Sequence, residues 1–320
     1  MTQNAPVHLL ASPWGRFSLY SFYIDAPEPA IVDTGIASSP DAMASALEAL
    51  GRRIEDVRWI LLTHGHIDHL GGAHALWELT GRRAQVVLHE ADADLLRSRT
   101  AHVQQYADVR QQYLRDPLGL DKQTAAAAQV ISGEMEPTML VRGGETLSLG
   151  GDVTVSVHSI PGHTAGSVAY VVDGQRDVFV GDAVQAHGAA NGFPGYEDPH
   201  AYRASLEYLR DVIRPERLYL GHPYRRANGE PYAIGLDRVE AQRALTESLS
   251  IEAQVADAAR RALEDGLQET ASPYSPFARV AEDLGYTGDP TLEPSPFFTT
   301  LHGYATQFAH EVRDEEGAAH

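Results

Sequence analysis

Short apolar runs, each closed by glycine and polar residues, recur along the first two thirds of the chain. Phe17 to Ile24 and Ala30 to Val32 read as strands, separated by Asp25-Ala26-Pro27-Glu28-Pro29, whose prolines stop pairing. Arg58 to Leu62 and Gln85 to Leu88 read as buried strands, the second followed by His89-Glu90-Ala91-Asp92, a helix start with acids in its first turn. Leu70 to Thr80 has helical character. Between Arg97 and Gly133 the pattern turns helical and polar, with Val103, Tyr106, Val109, Tyr113 and Leu114 as its apolar positions. Beyond about Ala233 it is helical throughout. Leu245, Leu249, Ala256, Ala259 and Leu263 recur at helical spacing up to Gly266. Ser275-Pro276 and Ser295-Pro296 open two further helices, with Phe277, Val280 and Leu284 on one stripe and Phe297, Leu301, Tyr304 and Phe308 on the other. The tail from Glu311 to His320 is expected to fray.

The strand ends carry the chemistry. Thr63-His64-Gly65-His66-Ile67-Asp68-His69 packs three imidazoles and a carboxylate into six positions between a strand and a helix. A turn lets such neighbours converge, where a straight strand would send them to opposite faces. Pro161-Gly162-His163-Thr164, Val180-Gly181-Asp182-Ala183 and Leu220-Gly221-His222-Pro223 each end another apolar run and add one ligand-type side chain. Five histidines and two aspartates suit zinc and other borderline divalent ions. Seven ligands are too many for one tetrahedral ion. Two ions about 3.5–4 Å apart, sharing one carboxylate, use all seven and leave room for a bridging hydroxide. His74, His89, His158 and His187 lie near these motifs and are read as structural.

The order H-x-H-x-D-H, then G-H-T, G-D and G-H resembles the metallo-β-lactamase superfamily, in its dinuclear hydrolase branch related to glyoxalase II and the lactonases. The resemblance runs through residues 1–233. It implies an α/β fold, an αβ/βα four-layer sandwich with metals at one edge of two facing sheets. Residues 1–233 would form the catalytic domain with a helical insertion over 97–133, and 234–320 a C-terminal helical extension. Position by position, it implies that His64, His66 and His163 hold a first metal and that Asp68, His69 and His222 hold a second, with Asp182 bridging them. The implied cofactor is two divalent ions per chain, zinc before iron or manganese. Asp68 would steer the hydroxide and pass its proton to the leaving group. Asp33 is implied to lie beneath the ligands and orient a histidine, a reading that competes with a plain Asp-Thr-Gly turn. Insertions in such relatives overhang the cleft, which would place Tyr106 and Tyr113 near the substrate. The alternative is that these rings pack the insertion onto the sandwich. Phe193 and Tyr196, in the loop after Asp182, and Tyr224, two residues past His222, are pocket-wall candidates by position. The helical extension is expected to be core, against the sandwich or a second subunit, with a cover over the cleft as the sharper alternative.

Composition narrows the function. A formal charge of −19 argues against the nuclease branch, because phosphate backbones are held by basic surfaces. No run approaches the roughly 18 apolar residues that span a bilayer, and the N-terminus shows no export signal, so a cytoplasmic location away from membranes is expected. A small-molecule substrate follows, and the apolar extension makes a homodimer unsurprising. The reading is hydrolysis of an acyl thioester or ester, with lactone opening as the alternative. Glyoxalase II enzymes grip glutathione with a basic C-terminal segment, whereas only Arg225 and Arg226 lie just beyond His222, which speaks against a glutathione thioester. Two other classes are weighed: a mononuclear-iron sulfur dioxygenase, opposed by the full second-metal set, and a metal-retaining binding protein with little turnover.

Overall fold

The computed structural model describes residues 5–114, 118–190, 192–291 and 295–318, and within them all side chains but those of 106–108, 110 and 315–318. Among these residues the strands make two six-stranded sheets. The first runs β1 (Val7–Trp14), β2 (Phe17–Ile24), β3 (Ala30–Val32), β4 (Trp59–Leu61), β5 (Gln85–His89) and β6 (Met139–Val141), antiparallel as far as β3 and parallel beyond it. The second runs β7 (Thr146–Ser148), β8 (Thr154–Ser159), β9 (Val168–Val172), β10 (Asp177–Phe179), β11 (Arg217–Tyr219) and β12 (Gly235–Asp237), antiparallel except between β10 and β11. Helices α1 (Ser39–Ala49), α2 (Ile67–Leu70) and α3 (Ala73–Leu79) fall within the first sheet's sequence, as do α4 (Ala93–Arg97), α5 (Arg99–Tyr113) and α6 (Gly119–Val130). Helix α7 (Pro199–Tyr208) lies between β10 and β11, and α8 (Arg238–Glu264), α9 (Ala278–Leu284) and α10 (Pro296–Ala318) follow β12.

The central strands read as unbroken apolar runs because both their faces are buried. Val32, Leu61 and Val87 share the inter-sheet core with Val155, Val157, Tyr170 and Phe179 of the second sheet. Their neighbours Ile31, Ile60, Val86 and Leu88 turn the other way and pack with Met43 and Leu47 of α1 and Leu76 of α3. On the opposite outer face Val178, Leu218 and Leu220 pack with Tyr202 and Leu206 of α7 and Ala241 and Leu245 of α8. The result is the four-layer αβ/βα sandwich, with helices covering both sheets.

Several boundaries move. The helix expected from Leu70 to Thr80 is two helices broken at Gly71-Gly72. The sandwich runs past residue 233, since β12 pairs with β11 and the first half of α8 covers the second sheet. The extension proper is therefore the second half of α8 with α9 and α10, gathered around Phe277, Phe297, Phe298 and Leu301. The tail does not fray where expected: α10 continues to Ala318. Among the described residues no helix is long and apolar enough to cross a membrane.

Insertion and extension meet. Val109, Tyr113 and Leu114 at the end of α5 pack against the extension's aromatic cluster. A second joint lies at Glu197, in the loop before α7. Its backbone N–H donates to Gly162 O (2.7 Å), and Gln105 Nε2 of α5 donates to its carboxylate (2.7 Å). Helix α10 crosses so close that a Cβ on Gly303 would lie 2.4 Å from Glu197 O. Burial, aided by the charge of Asp92, pushes the Glu197 carboxyl up from 4.5 to about 7. The native state thus favours the protonated form. That contribution is complete below about pH 4.5 and is lost as pH rises through 7. Glu197→Gln is expected to flatten the fall in unfolding free energy across this window and to raise stability at pH 8 by about 1–2 kcal/mol. Urea melts at pH 5, 6.5 and 8 check this, and an unchanged slope would refute it.

Candidate metal centre

The ligand-type residues come together because four connections end at one edge of the two sheets. The stretch from Thr63 to His69 links β4 to α2, His163 lies between β8 and β9, Asp182 follows β10 and His222 follows β11. The sheets are tied at this edge: Val168 N–H at the start of β9 donates to Thr63 O (2.9 Å), and the Tyr170 hydroxyl donates to Leu62 O (3.0 Å).

Seven side chains converge. His64, His66 and His163 place one nitrogen each within mutual reach of a metal ion, as do Asp68, His69 and His222 with their own donor atoms; His64, His69 and Asp182 form a third such group. His163 Nε2 and His66 Nδ1 face each other at 2.8 Å. Asp182 looks both ways. Its Oδ1 lies 3.2 Å from His69 Nε2, while its Oδ2 lies 3.4 Å from His222 Nε2 and 3.7 Å from His163 Nε2. Asp68 Oδ2 is 3.0 Å from His222 Nε2 and 3.9 Å from His69 Nε2.

The electrostatics fit a cation. His64 Nε2, His69 Nε2 and Asp182 Oδ1 are buried without a hydrogen-bond partner, an arrangement that costs about 1–3 kcal/mol per group unless something else satisfies it. Burial, reinforced by neighbouring imidazoles, holds His64 and His66 well below the usual histidine range, and burial lowers His163 too. These three are neutral, the form that binds metal. Burial alone would lower His69 and raise Asp68, but carboxylates outweigh it at His69 and the imidazoles of His69 and His222 outweigh it at Asp68. The donor set is entirely imidazole nitrogen and carboxylate oxygen, which suits zinc, iron or manganese.

Polar residues around the cluster fix the ring orientations. Asp33, on left-handed backbone (φ 58°), accepts from Thr63 N–H (2.8 Å) and from the Thr63 hydroxyl, and its Oδ2 accepts from His69 Nδ1 (2.8 Å). His69 Nε2 is thereby left to face the centre. Thr63 in turn contacts His64 Nδ1 (3.0 Å), so Asp33 reaches two of the ring histidines. His163 donates from Nδ1 to Gly195 O (2.7 Å), and Gln185 clamps Gly195 through both its carbonyl and its N–H. Asp92 joins two ligand loops by accepting from Gly65 N–H (2.7 Å), Gly166 N–H (2.8 Å) and the Thr164 hydroxyl (2.8 Å). A side chain at Gly166 would collide with it, a Cβ there lying 2.4 Å from its carboxyl carbon, while one at Gly65 would meet Leu95 of α4 at 2.4 Å. Sequence reasoning does not single out Thr63, Asp92, Gln185 or Gly195. Asp92 reads only as an acid in a helix start, and nothing local to the other three marks them. It misses His102 of α5 as well. That ring is buried, close enough to Asp68 to feel its charge, and pushed down to about 4 by burial.

The aromatic candidates divide. Tyr224 stands edge-on to His222 (5.9 Å between centroids), with a buried hydroxyl that lacks a hydrogen-bond partner. Burial and the charge of Asp182 hold that phenol well above its usual range. Phe193 and Tyr196 make their ring contacts away from the metal ligands. Phe193 packs edge-on against Tyr286 and Phe297, and Tyr196 is fully buried, stacked on Tyr202 (4.1 Å) with its hydroxyl 3.1 Å from that of Tyr304. Tyr113 stacks on Phe298 (5.2 Å), and its hydroxyl meets His302 Nδ1 (2.9 Å), so it docks the insertion onto the extension rather than facing substrate. The side chain of Tyr106 lies outside the described residues. His74, His89, His158 and His187 contact Glu78, Ala91 N–H, Tyr208 and Glu247 respectively, and none joins the ligand groups.

The family model of the metallo-β-lactamase superfamily matches residues 15–222, and the chain belongs to that superfamily. Two curated relatives are named hydroxyacylglutathione hydrolase. That of Hyphomonas neptunium is 27% identical over 214 residues, 66% of this chain and 64% of its own length. That of Brucella ovis is 28% identical over 222 residues, 69% and 68% respectively. The chain thus spans about two thirds of the length of these relatives. Among solved structures, a metallo-β-lactamase family protein from Thermus thermophilus superposes with a TM-score of 0.63 at 22% identity, covering 88% of this chain and 91% of that one. The metallo-β-lactamase GOB-18 of Elizabethkingia meningoseptica gives 0.52 at 17% identity, covering 73% and 85%. Both likenesses speak for the fold.

Asp33→Ala is expected to weaken metal binding by about 10–100-fold, the usual cost of losing an orienting partner behind a ligand. Competition with a chromophoric chelator measures it. A change below about twofold would mean that His69 needs no such support.

Proposed function

We propose that this protein is a dinuclear metal-dependent hydrolase that cleaves an acyl thioester or ester. The observation that carries the reading is Asp182, whose two oxygens address the His163 side and the His69 side of the cluster. In this reading His64, His66 and His163 hold one ion, Asp68, His69 and His222 hold the other, and Asp182 serves both. Such a pair of ions, when bound, supplies an acidified water as nucleophile and polarisation of the scissile carbonyl. The preference for a thioester rests on the relatives named hydroxyacylglutathione hydrolase, and lactones are the alternative to be tested beside it.

The chain's own groups would do the rest. Asp68, whose Oδ2 faces the centre 3.0 Å from His222 Nε2, is the base: it takes a proton from the attacking water and returns it to the leaving sulfur or oxygen. Tyr224, kept protonated by burial beside Asp182, offers its hydroxyl as a donor to a substrate oxygen. Asp33 and Thr63 hold the rings of His69 and His64 in the tautomers that leave Nε2 free for metal. The enclosing side chains limit the water that reaches these groups.

Elemental analysis is expected to find two metal ions per chain, and thioester turnover to vanish on chelation and return on reloading. Asp182→Ala should lower kcat by more than about 100-fold, beyond the 10–100-fold typical of an outer-shell loss, and should reduce the metal content. Hydrolysis that persists in the fully chelated protein, or a single ion with no turnover on thioester, ester or lactone, would overturn the reading.

A further inference from the structure

The loops that follow Asp182 and His222 are laced together: His187 N–H donates to Arg225 O (3.1 Å) and Arg225 N–H to Gly188 O (2.9 Å). Between these loops, α8 and the turn after α9 lies a cavity of about 490 Å³, within the range of about 300–1,000 Å³ common for small-molecule sites. None of the metal-ligand residues lines it. One part of its wall is apolar, formed by Phe193, Ile251, Val255 and Tyr286, the rest is polar, and its basic members are Arg225 and His187. Among the described residues no acid lines it, although the chain carries 44 acids against 25 lysines and arginines.

The two basic side chains differ in availability. His187 Nε2 lies 3.2 Å from Glu247. The Arg225 guanidinium is exposed and makes one contact, to Ala190 O (3.2 Å); among the described residues no carboxylate pairs with it. The adjacent Arg226 shows the opposite case, bonded to Glu240 and laid over the Tyr232 ring at 4.0 Å. A further unused group is the Tyr286 hydroxyl, buried without a hydrogen-bond partner and kept protonated, its pKa pushed up to about 12 by burial. One open guanidinium fork matches one carboxylate, whereas a di- or triphosphate would call for more cations than this cavity offers. The site is also near the chemistry. Arg225 is three positions on from His222, and a chain segment of that length spans at most about 11 Å.

We propose that this cavity binds the non-reacting end of the substrate, an amphipathic organic carboxylate whose anionic group docks on Arg225 and whose apolar body lies against Phe193, Ile251 and Tyr286. The assignment to substrate rests on the hydrolase reading; the binding site itself does not.

Two arms separate them. In the first, calorimetry on the metal-loaded protein compares 4-phenylbutyrate with its neutral amide. The acid is expected to bind about 10-fold more tightly, Arg225→Ala to erase that difference, and Arg225→Lys to restore part of it. Gln254→Trp, which fills the cavity from the exposed side of α8, should weaken both ligands. In the second, a thioester carrying a terminal carboxylate is compared with its methyl ester: the acid should show the lower KM, and Arg225→Ala should bring the KM ratio to about one. Equal affinity for acid and amide, or binding that survives Arg225→Ala, overturns the site. Turnover of both thioesters with equal KM, while phenylbutyrate still binds through Arg225, removes the substrate role but leaves the site and the hydrolase. Arg225-dependent binding with no turnover of thioester, ester or lactone sinks the hydrolase reading alone.

Discussion

The Asp33 carboxylate is the contact on which the metal edge depends. It is buried, and a buried charge is tolerated only when hydrogen bonds or a counter-charge replace its water. Here the replacements are the backbone and hydroxyl of Thr63 and the ring of His69, so strand β3 and the His-rich turn cannot separate without exposing an uncompensated charge. Thr34, the next residue, adds a second tie by donating from both its N–H and its hydroxyl to His69 O. Left-handed backbone at a non-glycine residue costs roughly 1 kcal/mol, and at Asp33 it accompanies a carboxylate aimed at both Thr63 and His69. The same carboxylate makes the centre anionic: with Asp68 and Asp182 it surrounds His69 by negative charge. A cation bound there would engage donor atoms that folding has buried, so metal binding and stability are thermodynamically linked.

The second sheet is brought to register by a different buried acid. Asp92 lies between the first two ligand loops and bonds one partner from the H-x-H turn and two from the segment after His163. Gln185 does the equivalent for the loop after Asp182, fixing Gly195 so that its carbonyl receives the His163 ring proton. The H-x-H turn and the His163 loop are therefore held together by a side chain remote from both, and the loop after Asp182 by one of its own.

Much of this is legible in the sequence, and the limits have physical causes. The seven ligands announce themselves because glycine-flanked histidines and aspartates at strand ends are chemically conspicuous. The strands β3 and β4 read directly as apolar runs buried on both faces, and β2 and β5 read from runs that are mostly apolar. Strand β1 escapes because it is an edge whose residues alternate between buried and exposed, leaving Leu9 and Trp14 at the surface. Asp92 acts across separations of 27 to 74 residues and Gln185 across 10, and nothing beside them in sequence marks the partner. The aromatic residues mislead for a related reason. Tyr113, Phe193 and Tyr196 are near the site in sequence, but the extension offers Phe297, Phe298 and Tyr304 as partners, and ring-on-ring burial against them outweighs exposure to a cleft.

That use of aromatic residues bears on how such a chain selects a substrate. With insertion and extension locked to each other by stacked rings, few large side chains remain to grip a ligand near the metals. Discrimination then falls to the small number of polar groups not already paired. The overall charge of −19 repels anions at long range, yet salt at physiological strength screens that field within about 8 Å. Inside that distance the nearest unpaired cation dominates. A carboxylate that reaches the rim next to His222 meets Arg225 before it meets any acid, since none lines the cavity, so local charge and global charge act oppositely, and the local one decides which molecules stay.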